Sequence, residues 1–310
     1  MRNCNWLLLI CILLPVNMHA EWQSPYYQDH PLVGEVYSLK GSKSVSKEEL
    51  YREIQNNRII LLGETHSNLD HHHGQADIIR YLVDQNDSVS LYLEMLPYET
   101  WDPRSAEGLA LEELVTLLEE KAKGWDWKNY IPVLQASIDH GLLLQGANLT
   151  RQQRAKFAQS EQCTMSRGQH MLNFCEVLDD EKTAAIKQLI YDAHCEYLPM
   201  EHTAPLVNTQ IAKDASFALS LLEAQYSDKV LLIAGKIHVR NDIGVPVHLQ
   251  RLGAESLSIA FIVVDLERTK ISDYFDQLHG QQFDYVVFTP NDRNQNPCIE
   301  FADKLKKLKQ

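Results

Sequence analysis

Short continuous apolar runs alternate along this chain with stretches in which apolar residues return every three or four positions. The runs at 58–63 (RIILLG), 89–95 (VSLYLEM) and 229–235 (KVLLIAG) each end on a polar or glycine switch, and 142–146, 257–264 and 283–288 are further runs of this kind. Unbroken apolar runs of this length suit strands buried on both faces. Helical periodicity covers 75–85, where Ile78, Ile79, Leu82 and Val83 share one face, and then 109–121, 130–140, 182–194 and 205–226. The last opens on Pro205, whose missing N–H costs nothing at a helix start. This alternation predicts an α/β fold with a largely parallel central sheet flanked by helices. Residues 153–180 lack a clear period and are expected to form a cysteine-containing helical excursion over the edge of the sheet. With no internal repeat and no linker, residues 21–310 read as one domain.

The first 20 residues follow a different logic. Arg2 precedes an apolar run from Trp6 to Leu14, Pro15 breaks it, and a polar stretch ends at Ala20, the layout of a secretory signal. The run is shorter than the roughly 20 residues a bilayer span needs. Neither Cys4 nor Cys11 follows a small residue, so a lipid anchor is not expected. An exported protein, periplasmic or secreted, is the expectation. The formal net charge of −13, from 29 basic and 42 acidic residues, offers no uniform positive field to a phosphate backbone or an anionic membrane.

Four cysteines remain after the leader: Cys163, Cys175, Cys195 and Cys298. An even number in an oxidising compartment allows three connectivities. The expected one pairs Cys163 with Cys175 and Cys195 with Cys298. No CxxC occurs, which excludes covalent c-type haem attachment and thioredoxin-like redox work.

Candidate chemistry gathers where strands end. Glu64 and His66 follow the run at 58–63, Glu94 stands near the end of the run at 89–95, and His238 follows the run at 229–235, the two histidines in repeated GxxH settings. In an open parallel sheet the carboxyl ends of strands converge on one edge, where ligands bind. Two carboxylates and two imidazoles there suit a divalent metal with an open position for water, or a histidine base oriented by a glutamate. His71, His72 and His73 open a helix with Asp70 as its expected N-cap. Successive helical residues point about 100° apart, so at most two of the three can share a ligand. Residues 191–204 concentrate two His, a Cys, two Tyr and a Met, either a binding wall or a pinned turn. His140, His170, His248 and His279 belong to no constellation.

GETHSNLDHHHGQADII (63–79), YLEM (92–95), DAHCEYLP (192–199), QIAKDASFA (210–218), IAGKIHVRNDIGVPVHL (233–249) and FTPNDRNQNPC (288–298) together resemble the ChaN-like haem-binding proteins. These belong to the haem-binding-uptake and Tiki superfamily, which also holds erythromycin esterases and Tiki-type metalloproteases. The resemblance implies an exported, often lipid-anchored protein of iron acquisition, with two haems stacked face to face at a homodimer interface and a tyrosine as axial ligand. Tyrosinate is a hard donor suited to ferric haem. Tyr197, near His194 and His202, is the candidate ligand, and Arg240 a candidate partner for the propionates. The sequence departs from the family in placing Lys236 and Ile237 inside the second GxxH, in lacking a lipid-attachment cysteine, and in carrying the pair Cys163 and Cys175.

Two readings follow. In the first, haem is bound without turnover. In the second, Glu64, His66, Glu94 and His238 form a metal-dependent hydrolytic site, as in the esterase and protease relatives. The whole-chain pattern favours the haem binder, although kinship of fold does not decide function.

Overall fold

The computed structural model describes residues 22–159, 163–274, 282–299 and 302. The expected leader at 1–20, with Cys4 and Cys11, and His279 lie outside the described residues. Two short strands, β1 (Val36–Ser38) and β2 (Lys43–Val45), form one margin of an eight-stranded sheet. The other six are β3 (Ile59–Glu64), β4 (Val89–Pro97), β5 (Leu144–Asn148), β8 (Lys229–Gly235), β9 (Leu257–Val263) and β10 (Tyr285–Thr289). These are the six apolar runs of the sequence. The strand order is β2-β1-β10-β9-β3-β8-β4-β5; β1 pairs antiparallel with β2 and β10, and every other pairing in this sheet is parallel.

Burial explains why these strands read as unbroken apolar runs. Ile60 and Leu62 on β3 pack with α1 (Lys47–Asn56), α2 (Leu69–Asp84), α3 (Leu111–Lys121) and α4 (Ile131–Asp139), through Ile54, Ile79, Leu118 and Leu134. Ile59 and Leu61 point the other way, into a layer with Phe217 of α7 (Ala204–Glu223) and Leu249 of α8 (Val245–Arg251). Helices on both faces leave no side of the central strands for polar residues. A polar residue near such a strand's end is therefore informative.

The excursion between β5 and α7 contains α5 (Arg151–Gln159), a hairpin of β6 (Thr164–Arg167) and β7 (His170–Asn173), and α6 (Asp180–Ala193). It is partly strand, where the sequence predicted helix. It builds a small core of its own, with Phe157, Phe174 and Ile186 packed on Ile211, Ala215 and Leu219 of α7. Arg167 fastens the hairpin: its guanidinium lies 3.5 Å from the ring centre of Tyr98 and donates to Ser216 O at 2.7 Å. The disulfides join Cys163 to Cys175, which closes the hairpin's base, and Cys195 to Cys298.

The start of α2 differs from expectation. Asn68, not Asp70, is the N-cap, its Oδ1 accepting from His71 N at 3.2 Å. Asp70 sits in the first turn and accepts the backbone N–H groups of Gln23 and Ser24, both at 2.8 Å. The N-terminal segment is thereby stitched to the helix.

Candidate functional site

The parallel register places the strand-end residues side by side. Glu64 stands opposite Gly235, and Glu94 is the residue just beyond Leu93, the last paired position of β4 against β8. The chain then turns within four residues to bring His238 back over the same edge, with His238 N bonded to Gly235 O at 2.9 Å. Glycine at 235 gives the imidazole its place: a Cβ there would stand 3.0 Å from His66 Nε2, close enough to displace the ring by a few tenths of an ångström. Gly244 serves the same turn, since its Cβ would fall 2.3 Å from His238 O.

Glu64 is the centre of the first half of the site. Its Oε1 accepts from His66 Nδ1 at 2.8 Å and from the Tyr130 hydroxyl at 2.5 Å, and its Oε2 accepts from Gln75 Nε2 at 2.7 Å. His72 Nε2 stands 3.2 Å from that second oxygen, with Nδ1 donating to Asn129 O at 2.7 Å. Burial opposes ionisation of Glu64, but His72 and His66 hold it well below the usual carboxylate range. Burial likewise opposes protonation of His66, and the bond to Glu64 with the charge of Glu94 lifts it above the ordinary imidazole value. With Nδ1 engaged, Nε2 is the remaining polar atom of this half-exposed ring, and Trp125 meets the ring at 4.8 Å between centroids.

Glu94 is the centre of the second half. Oε2 accepts from Gly235 N at 2.8 Å; Oε1 accepts from Lys213 Nζ at 2.6 Å and lies 3.2 Å from His238 Nε2. His238 Nδ1 donates to Asp214 Oδ1 at 2.5 Å. Burial works against charge at Glu94 as well, but His238 and Lys213 hold it well below the usual range. His238 is lifted, against burial, by Glu94 and Asp214, whereas burial raises Asp214 itself. The halves meet where His66 Nε2 approaches Glu94 Oε2 at 3.8 Å.

Glu64, His66, Glu94 and His238 are thus brought together, but not around a metal. No group of three or more His, Cys, Asp or Glu side chains suited to a metal ion occurs among the described residues. The physical reason is Lys213, whose ammonium touches both Glu94 Oε1 and, at 3.0 Å, His238 Nε2. A cation carried by the chain occupies the place a divalent ion would take.

The other expected residues have different surroundings. Tyr197 is 54% exposed in the segment after α6. His194 caps that helix, its Nδ1 on Ile190 O at 2.7 Å. Arg240 is turned to Asp242, donating through Nε at 2.9 Å and Nη2 at 2.6 Å.

Tyr130, Gln75, Lys213 and Asp214 were not foreseen as site residues. Lys213 and Asp214 lie in QIAKDASFA, and a buried acid inside an otherwise apolar helix face is the signal that singles out Asp214. The three consecutive histidines face three ways. His71 accepts Thr65 N at 2.9 Å and meets Thr289 Oγ1 at 2.9 Å, His72 faces Glu64, and His73 is exposed.

A family model described as haem-binding uptake, Tiki superfamily, ChaN matches residues 50–249. Among solved structures, the chain is similar to ChaN of Campylobacter jejuni, described with cofacial haem binding, at a TM-score of 0.63 and 23% identity over 81% of this chain and 95% of that one. An erythromycin esterase in its open conformation gives a TM-score of 0.45 at 13% identity, over 85% of this chain and 99% of that one. A type III effector gives 0.44 at 13%, over 78% and 92%. No curated protein matches the chain.

Proposed function

Because the chain belongs to the haem-binding uptake family of the Tiki superfamily, ChaN, we propose that it is an exported protein of haem and iron uptake that binds haem non-covalently at a homodimer interface. The observation that carries this reading is the family match, which spans both strand-end motifs and the helix between them. The two disulfides suit an oxidising compartment, and no helix among the described residues is long and apolar enough to cross a membrane.

The donor set of the strand-end cluster supports placing haem iron elsewhere. Glu64 is engaged by His66, Tyr130 and Gln75, and Glu94 and His238 by one another, Lys213 and Asp214, so the axial ligand is sought outside the cluster. Tyr197 suits that role: its phenol is on the surface, where a second chain can close over it, and phenolate is a hard donor for ferric iron. Met171 and Leu206, 71% and 38% exposed on the same excursion and the helix after it, offer apolar surface of the kind a flat ligand covers. Haemin titration of residues 21–310, followed by absorbance and size exclusion, tests the proposal. A saturable Soret shift with a tyrosinate charge-transfer band, dimer formation and loss of that band in Tyr197→Phe are expected. Absence of a saturable shift overturns the haem reading, and an unchanged band in Tyr197→Phe overturns the ligand.

One observation favours a hydrolase as a second reading: Glu64 holds His66 by Nδ1 and leaves Nε2 as the ring's remaining polar atom, the arrangement of an oriented general base. Lys213 makes metal dependence the part of that reading the geometry does not fit. Ester hydrolysis lost in Glu64→Gln and insensitive to chelator would support it.

A further inference from the structure

The same edge of the sheet holds a cavity of about 480 Å³, whose lining includes Lys236, Arg293, Asn291, Asn294, Asn296 and Asp265. It lies past the ends of β9 and β10, one turn of chain from the His66 loop. Lys236 is built into its wall: a Cβ at Gly63 would stand 2.9 Å from Lys236 Cα and 3.3 Å from its Cβ, so the bare glycine is what lets the Lys236 backbone lie against β3. Its ammonium makes one hydrogen bond among the described residues, to Thr65 Oγ1 at 3.4 Å, although the group carries three donors. Burial pushes Lys236 below its usual range, against the pull of Asp292.

Arg293 is held just as loosely. Its Nη2 is 3.4 Å from Ser67 Oγ and its Nε is 3.7 Å from Asp292 Oδ2, both longer than a charge-assisted hydrogen bond. Asp265, the acid in the wall, is occupied elsewhere: Oδ1 accepts from Glu267 N at 3.1 Å and Oδ2 faces Arg268 Nε at 3.8 Å. Two weakly satisfied cations and several side-chain amides therefore face one space, in a chain of net charge −13.

We infer that this cavity binds an oxyanion of the carboxylate or phosphate type, with Lys236 and Arg293 as its charge partners and, as further donors, the amides of Asn294 and Asn296 and the second N–H of Asn291, whose Nδ2 already donates to Val264 O at 3.2 Å. A haem propionate and a small free anion present the same chemistry. The inference does not depend on haem, because the free anion is tested separately.

The experiment uses residues 21–310 as wild type, Lys236→Met, Lys236→Arg and Arg293→Ala. Calorimetric titration with inorganic phosphate and with citrate at low ionic strength is paired with absorbance titration by haemin and by haemin dimethyl ester. For a free anion, saturable binding falls about tenfold or more in Lys236→Met and returns in Lys236→Arg, as loss of one charge-assisted contact requires. For a propionate, phosphate and citrate give no heat, haemin binds about tenfold tighter than its ester, and Lys236→Met removes that difference. Arg293→Ala, at a half-exposed side chain, reads the same effects should Lys236→Met fail to fold. The inference is overturned if neither pattern occurs, or if anion binding survives in folded Lys236→Met and Arg293→Ala alike. Phosphate binding without haemin binding would sink the haem reading and leave this one standing.

Discussion

The Tyr130 hydroxyl and the Glu64 carboxylate meet at 2.5 Å, on the same oxygen that receives His66 Nδ1. A residue at the mouth of α4 thus completes the coordination of a carboxylate 66 positions earlier in the chain. Removal of the hydroxyl leaves a buried, ionised oxygen short of one donor. Tyr130→Phe is expected to cost about 1.5–3 kcal/mol, the range for a hydrogen bond to a charged group. Urea unfolding at pH 7 measures it, and an unchanged midpoint would show that the oxygen finds another partner.

Gly235 governs the position of His66 and not the backbone's conformational freedom. A methyl group there would meet the imidazole at Nε2, 3.0 Å away, and Cε1, 3.3 Å away. Gly235→Ala should therefore shift the ring relative to Glu64 and lower the His66 pKa toward 6.5, because the Glu64 bond, together with the charge of Glu94, raises it against burial. An NMR titration of the imidazole Cε1–H resonance reads the shift directly. A His66 pKa that stays raised in a folded Gly235→Ala protein would refute this account.

Lys213 supplies the positive charge for Glu94 and His238. Lys213→Met should cost roughly 3 kcal/mol or more, the penalty for leaving one partner of a buried ion pair uncompensated. With the ammonium gone, the space between Glu94 and His238 opens to a divalent ion. Zinc is expected to bind Lys213→Met in a calorimetric titration and not the wild type, whose melting temperature should be insensitive to dialysis against chelator. Zinc uptake at the wild-type cluster would contradict the assignment.

His248, on α8, is fully buried with neither ring nitrogen hydrogen-bonded among the described residues, and burial lowers its pKa to about 3. The unfolded chain takes up a proton below pH 6.5 that the native protein refuses. Stability from this residue is thus intact above pH 6.5 and is lost progressively as pH falls toward 3. At pH 4 the deficit is roughly 3 kcal/mol, from about 1.36 kcal/mol per unit of pKa. His248→Leu should flatten this acid limb, as seen in urea unfolding at pH 7 and pH 4. Parallel curves for the two proteins would exclude His248 as its source.

The disulfides differ in what they enclose. Cys163–Cys175 spans 12 residues and Cys195–Cys298 spans 103. In the loop-entropy model the short loop contributes about 3 kcal/mol and the long one about 4.7. Replacing the long-range pair by serine should lower the denaturation midpoint more than replacing the short-range pair, and the opposite order would count against this view.

The six parallel strands were legible in the sequence because helices cover both faces, so that Ile59 through Leu62 are all apolar irrespective of alternation. β1 and β2 were not legible: three residues each are too few to carry a period. The hairpin of β6 and β7 has mostly exposed or half-exposed positions and is anchored by Arg167, so no apolar pattern marks it. In the site, Glu64, Glu94 and His238 are conspicuous because strands deliver them directly. Tyr130 and Lys213 arrive from helices, where a tyrosine or lysine is an ordinary residue and only the tertiary packing shows what it touches.

The three directions taken by His71, His72 and His73 bear on how α2 tolerates change in length. Each residue advances a helix by about 100°. One residue inserted or deleted between Asn68 and His71 would swing His71 away from Thr65 and Thr289, carry His72 off Glu64, and turn the exposed position inward, all in a single step. Substitutions along this helix can be absorbed one contact at a time, whereas a shift of reading along it cannot. The spacing from the cap to the histidines is for that reason an inelastic interval.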